Sequence, residues 1–181
     1  IKDIAKRIFS EHGDAFVALD ENELVGRLIE MEYPLMLESI KSTLHRMGVS
    51  FDVWFSERER YRRGKVEKTL KMLEDKGEAY WRDGALWLRT TSYGDEKDRV
   101  LIRSSGEPTY FASDIAYHHD KMERGFDLVI NIWGADHHGY VPRMKAAMQA
   151  MGYDPSNLEV ILGQLVKLYR GGAPVTMSKR T

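Results

Sequence analysis

"DLVINIWGADHHGYVPRMKAA", residues 127–147, and the "EVILGQLVKLY" that starts at residue 159 decide the fold class. Asp127 to Trp133 is a near-continuous apolar run of strand length, the pattern expected of a strand covered on both faces. A helix is predicted from about Asp136 to Met151, and a second strand from residue 159. Strand, helix, strand in that order predicts an α/β fold: a parallel sheet of the doubly wound kind with flanking helices. Another helix is expected just upstream, from Ser113 to about Arg124.

The earlier residues read differently. Ile1, Ile4, Ala5 and Ile8 fall at helical spacing and stop at Gly13. A second helix is expected from Asp20 as N-cap, interrupted by Pro34, with Leu37, Ile40, Leu44 and Met47 resuming the stripe up to Gly48. "FDVWF", residues 51–55, is aromatic and β-branched and predicts a short buried strand that ends at Ser56 and Glu57. Val66, Leu70 and Leu73 mark a short helix closed by Gly77. "EAYWRDGALWLRT" then predicts a hairpin at Asp83-Gly84, and "RVLIRSSGEPTYF" a second one at Ser105-Gly106. The resulting division is a helical segment leading into a core strand (1–63), a small α+β insertion (64–108) and the second half of the parallel core (109–181).

Composition narrows the function. With 27 Lys and Arg against 28 Asp and Glu, the net charge of −1 provides no global positive field, so any contact with nucleic acid must be local. The absence of cysteine excludes disulfides and thiolate zinc sites. No apolar run approaches the ~20 residues that span a bilayer, and "IKDIAKRIFSEHG" is unlike a secretory signal, so a soluble, cytoplasmic protein is expected.

Ligands of open α/β sheets lie beyond the carboxyl ends of the strands, which directs attention to three places. After "DLVINIW", Gly134 permits close approach and Asp136 can accept hydrogen bonds from ribose hydroxyls; a tight turn and a helix N-cap would explain the same residues. Glu57 follows the "FDVWF" strand, and Tyr110 and Asp114 lie four apart at a strand-to-helix junction. Carboxylates from two strand ends can converge on one planar guanidinium, although Glu57 also reads as a surface charge and Asp114 as an N-cap. His118-His119 and His137-His138 suggest metal, but adjacent helical residues point about 100° apart, so neither pair chelates one ion. No metal site is expected; one histidine of each pair should face a pocket and the other solvent or a cap. At the end, "GGAPVTMSKRT", residues 171–181, joins two glycines that allow a swing to Ser178, Lys179 and Arg180, a set suited to clamping a polyphosphate.

"MSKR" is similar to the second signature of class I aminoacyl-tRNA synthetases. "FDVWFSERE", "PTYFASDIAYH" and "INIWGADHHGYVPRMKAA" together resemble arginyl-tRNA synthetase of the bacterial type. The resemblance implies the later part of a class I Rossmann-like catalytic domain with its inserted segment. It implies ATP-dependent activation of arginine to arginyl-adenylate and transfer to tRNA(Arg), with Mg2+ accompanying ATP, no covalent enzyme intermediate, and a monomeric whole enzyme. Tyr110, Asp114 and Glu57 match residues that hold the substrate arginine. Gly134, Asp136 and His137 match the adenosine side, with either Asp136 or His137 nearest the ribose, and Met177, Ser178, Lys179 and Arg180 match the mobile ATP loop. Thr176 stands where most class I enzymes carry that loop's first lysine, a departure that arginyl enzymes share. The first class I signature and an anticodon-reading domain are absent from these residues, so this piece alone is expected to be inactive; the alternative is a non-catalytic nucleotide- or RNA-binding module.

The run "RERYRRGK", residues 58–65, could meet phosphates of the tRNA acceptor stem, but a solvated charged face is the expected reading. Reversing two of its charges should therefore leave tRNA affinity unchanged in a filter-binding salt series. A salt slope shallower by about one per reversed residue would instead reveal phosphate contacts.

Overall fold

In the computed structural model of the chain, the described residues are 2–164 and 166–175, without the side chains of residues 2–4, 60 and 62. Residues 1–55 and 56–181 form two compact units.

The first unit is helical, with α1 at Lys2–His12 and α2 at Glu21–Arg46. Asp20 caps α2 as expected, its carboxylate accepting from the Glu23 amide at 2.9 Å. Pro34 lies inside this 26-residue helix and does not interrupt it, contrary to the sequence reading. Proline deprives the Glu30 carbonyl of its helical donor, but no residue of α2 is buried, so water can serve that carbonyl. The second correction concerns "FDVWF", which forms no strand. Among the described residues none lies beside it to complete a ladder. Phe51 and Trp54 turn toward the end of α2 instead: Phe51 meets Trp54 edge-on at 5.3 Å, and the Lys41 ammonium sits 5.5 Å from the Trp54 ring.

The second unit begins with α3 (Glu57–Arg62) and α4 (Lys65–Asp75), followed by an antiparallel sheet in the order β1 (Ala79–Arg82), β2 (Ala85–Leu88), β3 (Arg99–Ile102). Asp83 and Gly84 take φ of 52° and 73°, the turn predicted for the first hairpin. The second hairpin is reduced to a bridge between Ile102 and Pro108, closed by the Arg103 amide donating to Glu107 at 2.9 Å. Then come α5 (Tyr110–Glu123), β4 (Val129–Gly134), α6 (Val141–Met151) and β5 (Leu158–Gly163). β4 and β5 pair in parallel from Val129↔Leu158 to Gly134↔Gly163 with α6 as the crossover, which is the predicted α/β unit.

Three boundaries depart from expectation, the first being α5, placed from Ser113 but starting at Tyr110. The helix placed from Asp136 starts as a 3-10 turn, Ala135–Tyr140, and becomes α-helical at Val141, where Pro142 suits the first turn. The strand placed over 159–169 stops at Gly163; β6 (Leu168–Arg170) belongs instead to a hairpin with β7 (Ala173–Val175). Gly171 and Gly172, read as a swing point, are the turn of that hairpin with φ of +58° and +81°. Thr176, Met177, Ser178, Lys179 and Arg180 lie outside the described residues.

One hydrophobic core joins the 64–108 segment to the elements from α5 to β5. Leu73, Leu88 and Leu101 of that segment pack with Ile115, Met144, Met148 and Leu158. Each is fully buried and contributes about 1.5–3 kcal/mol. Lys76, just past α4, donates to the Met151 carbonyl at 2.6 Å and so caps the end of α6.

A polar lock closes the loop between β2 and β3. Arg99 grips both oxygens of Asp95 at 2.7 Å, and their side chains are 14% and 4% exposed. The Arg99 guanidinium holds the Asp95 carboxyl below its ordinary range. A depressed carboxyl stabilises the fold above the usual aspartate range and loses that contribution as pH falls through its lowered folded value. Asp95→Asn should cost about 2 kcal/mol in urea denaturation at pH 7, and the gap to wild type should shrink as pH falls below about 4.

Candidate active site

The cleft is built on the start of α5. Thr109 caps this helix, its hydroxyl accepting from the Ala112 amide at 3.3 Å and donating to the Val100 carbonyl at 2.9 Å. Asp114, a possible cap by residue type, is thereby one turn inside the helix and is not its cap. Tyr110, Asp114, Tyr117, His118 and Lys121 fall on one face of α5. Together with Asn131 and Trp133 of β4 and with His137 and Tyr140 of the 3-10 turn, they line a cleft of about 500 Å³. Tyr110 is 83% exposed, so it stands at the rim.

Two hydrogen-bonded chains hold the walls. The Tyr140 hydroxyl donates to Asp114 Oδ2 at 2.8 Å. Burial, reinforced by the adjacent Asp114 charge, holds that hydroxyl far above its ordinary range, so it remains a donor. Deeper in, Lys121 Nζ donates to Asn131 Oδ1 at 3.0 Å, which leaves the Asn131 amide nitrogen to donate to His118 Nε2 at 2.7 Å. His118 is therefore the Nδ1-protonated tautomer, donating to the Asp114 carbonyl at 2.8 Å. Burial lowers the Lys121 ammonium from its ordinary range, with Arg124 adding to the effect.

At the carboxyl end of β4, Gly134 has an ordinary φ of −66°, and the place a side chain would take is occupied by Asp136. A Cβ there would meet Asp136 Oδ1, because the Asp136 carboxylate folds back over the glycine. Asp136 is thus not an N-cap; Gly134 holds that position, and no side chain caps the 3-10 turn. His137 lies beside both, its Nε2 3.7 Å from Asp136 Oδ2. Its neighbour His138 is exposed. In the other pair, His118 faces the cleft while His119 turns to a separate hollow beside Lys65 and bonds Tyr153 at 2.7 Å. Among the described residues no three His, Cys, Asp or Glu side chains group as metal ligands, and no helix is long and apolar enough to cross a membrane.

Glu57 is placed differently from its reading as a strand end. It is the first residue of α3, capped by Ser56, and its carboxylate accepts from Ser113 at 3.2 Å. Residues 113 and 114 project about 100° apart around α5, so Glu57 reaches the face next to the one that lines the cleft. In the basic run, Lys65 is an internal partner of the buried Asp120, and Arg63 lies 3.6 Å from Glu59 at the surface.

Residues 4–166 match the family described as tRNA synthetases class I (R), catalytic domain. The chain belongs to this class I arginyl synthetase family. It is 55% identical over 179 residues to an arginine–tRNA ligase from Desulforudis audaxviator, covering 99% of this chain and 32% of that protein. An arginine–tRNA ligase from Anoxybacillus flavithermus is 54% identical over 181 residues, covering 100% of this chain and 33% of that protein. A crystal structure from Campylobacter jejuni, described as an arginyl-tRNA synthetase, superposes with a TM-score of 0.86 at 44% identity over 97% of this chain and 38% of that one. The chain spans about a third of the length of the curated relatives it matches.

Five cleft residues escaped the sequence reading: Tyr117, Lys121, Asn131, Trp133 and Tyr140; of the first histidine pair, expected to turn one member to a pocket, His118 is that member. Tyr117, His118 and Lys121 continue the spacing from Asp114 by three, four and seven, a helical polar stripe open to inspection. Asn131 and Trp133 alternate along β4. Tyr140 carries no local signal. The crowding at Gly134 gives a direct check. Gly134→Ala should leave stability within about 0.5 kcal/mol, since the obstacle is the end of one exposed side chain, while a crystal structure shows the Asp136 carboxylate turned away from β4.

Proposed function

We propose that this chain forms part of an arginine–tRNA ligase that joins arginine to ATP and then to tRNA(Arg), and that the cleft on α5 receives the arginine side chain. The observation that carries this reading is a carboxylate, Asp114, and a rim tyrosine, Tyr110, one turn apart on α5, in a cleft shared with Trp133 and His137 at the carboxyl end of β4. A guanidinium offers five donors in a fixed fork, which a carboxylate and a phenol complement in direction as well as in charge. Glu57, on the neighbouring face of α5, adds negative potential near the same turn. Gly134, Asp136 and His137 are assigned to adenosine, and Met177, Ser178, Lys179 and Arg180 to the ATP phosphates.

The reaction has two steps. A carboxylate oxygen of arginine attacks the α-phosphorus of ATP and pyrophosphate leaves; a terminal ribose hydroxyl of the tRNA then attacks the acyl carbon and AMP leaves. Orientation and charge stabilisation carry both, so no nucleophilic side chain is needed. Mg2+ enters bound to ATP as part of the substrate, and no described side chain is assigned to it. A lysine in the cleft would satisfy the carboxylate's charge without matching its geometry, so discrimination resides in binding itself. The whole enzyme is assigned to the cytoplasm as a monomer.

The test is pyrophosphate exchange by the full-length protein with tRNA present. Exchange should require arginine, and Asp114→Asn should raise the arginine KM by about tenfold or more while the ATP KM stays near wild type. Nucleotide binding without arginine-dependent exchange would favour the non-catalytic module.

A further inference from the structure

Tyr140 has no part in the binding of arginine or ATP proposed for this cleft, yet it holds the residue on which that binding turns. Its hydroxyl donates to Asp114 Oδ2 at 2.8 Å, joining the first turn of α5 to the residue that precedes α6. The ring cannot readily move. It lies edge-on to Phe111 at 5.9 Å and to Trp133 at 5.6 Å, and the Arg143 guanidinium sits 5.0 Å from its centroid. The main chain of Asp114 is held as well, through His118 Nδ1 at 2.8 Å from its carbonyl. A carboxylate restrained at the backbone and at one oxygen has its plane set.

We propose that Tyr140 is a positioning residue that makes the cleft selective for a planar, forked cation by fixing the orientation of the Asp114 carboxylate. A guanidinium donates along fixed directions and gains from an acceptor whose plane is already set, whereas an ammonium is a point charge that tolerates any rotation. The inference rests on the arginine reading of this cleft. The buried phenol keeps its proton, so it directs the carboxylate without neutralising it.

Tyr140→Phe in the full-length enzyme removes the donor and keeps the ring packing. The arginine KM should rise about tenfold, as for loss of a hydrogen bond to a charged group, with kcat within about twofold. The inhibition constant of lysine as a competitor should move less than about twofold, because a point charge does not read the plane. An unchanged arginine KM, or arginine and lysine constants that shift together, would overturn the proposal. A measurement on folded protein of native packing guards against a variant that unfolds. With 3-fluorotyrosine at position 140, the fluorine resonance should shift as arginine saturates the enzyme, and a resonance that arginine leaves in place overturns the proposal equally. Wild-type enzyme without arginine-dependent exchange would instead remove the reading of the cleft, and this inference with it.

Discussion

The Thr109 hydroxyl is the interaction from which the site follows. By donating to Val100 and accepting from Ala112 it makes β3 and the first turn of α5 a single piece, and the Thr109 amide adds a 2.8 Å bond to the Leu101 carbonyl. The start of α5 therefore has no freedom to slip. A shift of one residue would rotate the helix by about 100° and carry Asp114 out of the cleft wall toward the face that Ile115 now buries. The small antiparallel sheet thus does more than enlarge the core: it sets the rotational phase of the helix that carries the chemistry.

That phase matters because α5 serves two environments. Phe111, Ala112, Ile115 and Ala116 enter the core, while the adjoining face presents polar groups at depths where an unbonded one would cost about 1–3 kcal/mol. Lys121, Asn131 and His118 meet this constraint by bonding one another in series. The series fixes more than stability, since its last donor ends on the Asp114 carbonyl. The wall of the cleft and the placement of its carboxylate are consequently one hydrogen-bonded structure.

What could be read from the sequence was what local spacing determines. The Val66, Leu70, Leu73 stripe, the Asp83-Gly84 turn and the apolar run that becomes β4 all form where periodicity places them, and Tyr110, Asp114 and His137 do share a cleft. The failures have a common physical source, in that each depends on a neighbour distant in sequence. "FDVWF" has the composition of a strand, but Phe51, Val53 and Trp54 stay exposed because no described strand lies alongside. The effect of Pro34 turns on whether a carbonyl faces water, which periodicity does not state. Thr109 and Asp114 are both good N-caps by residue type, and the choice between them was made by β3. The adjacent histidines drew attention to metal and away from the stripe of which His118 is a member. Tyr140 was beyond reach, because its role exists only through contact with Asp114, 26 positions earlier in the chain.

The choice of a phenol beside Asp114 is itself informative. A lysine or arginine at that position would orient the carboxylate at least as firmly, but it would also cancel the charge that draws a cation into the cleft. A serine or an amide would keep the charge, yet a short side chain on the 3-10 turn lacks the reach of a tyrosine and the ring contacts that fix its direction. The phenol combines reach, rigidity and neutrality, and burial keeps it neutral over the whole physiological range. Tyr140 thereby sets the direction of the Asp114 carboxylate without placing a charge of its own beside it. That is the arrangement expected where geometry, rather than charge alone, must distinguish one cation from another.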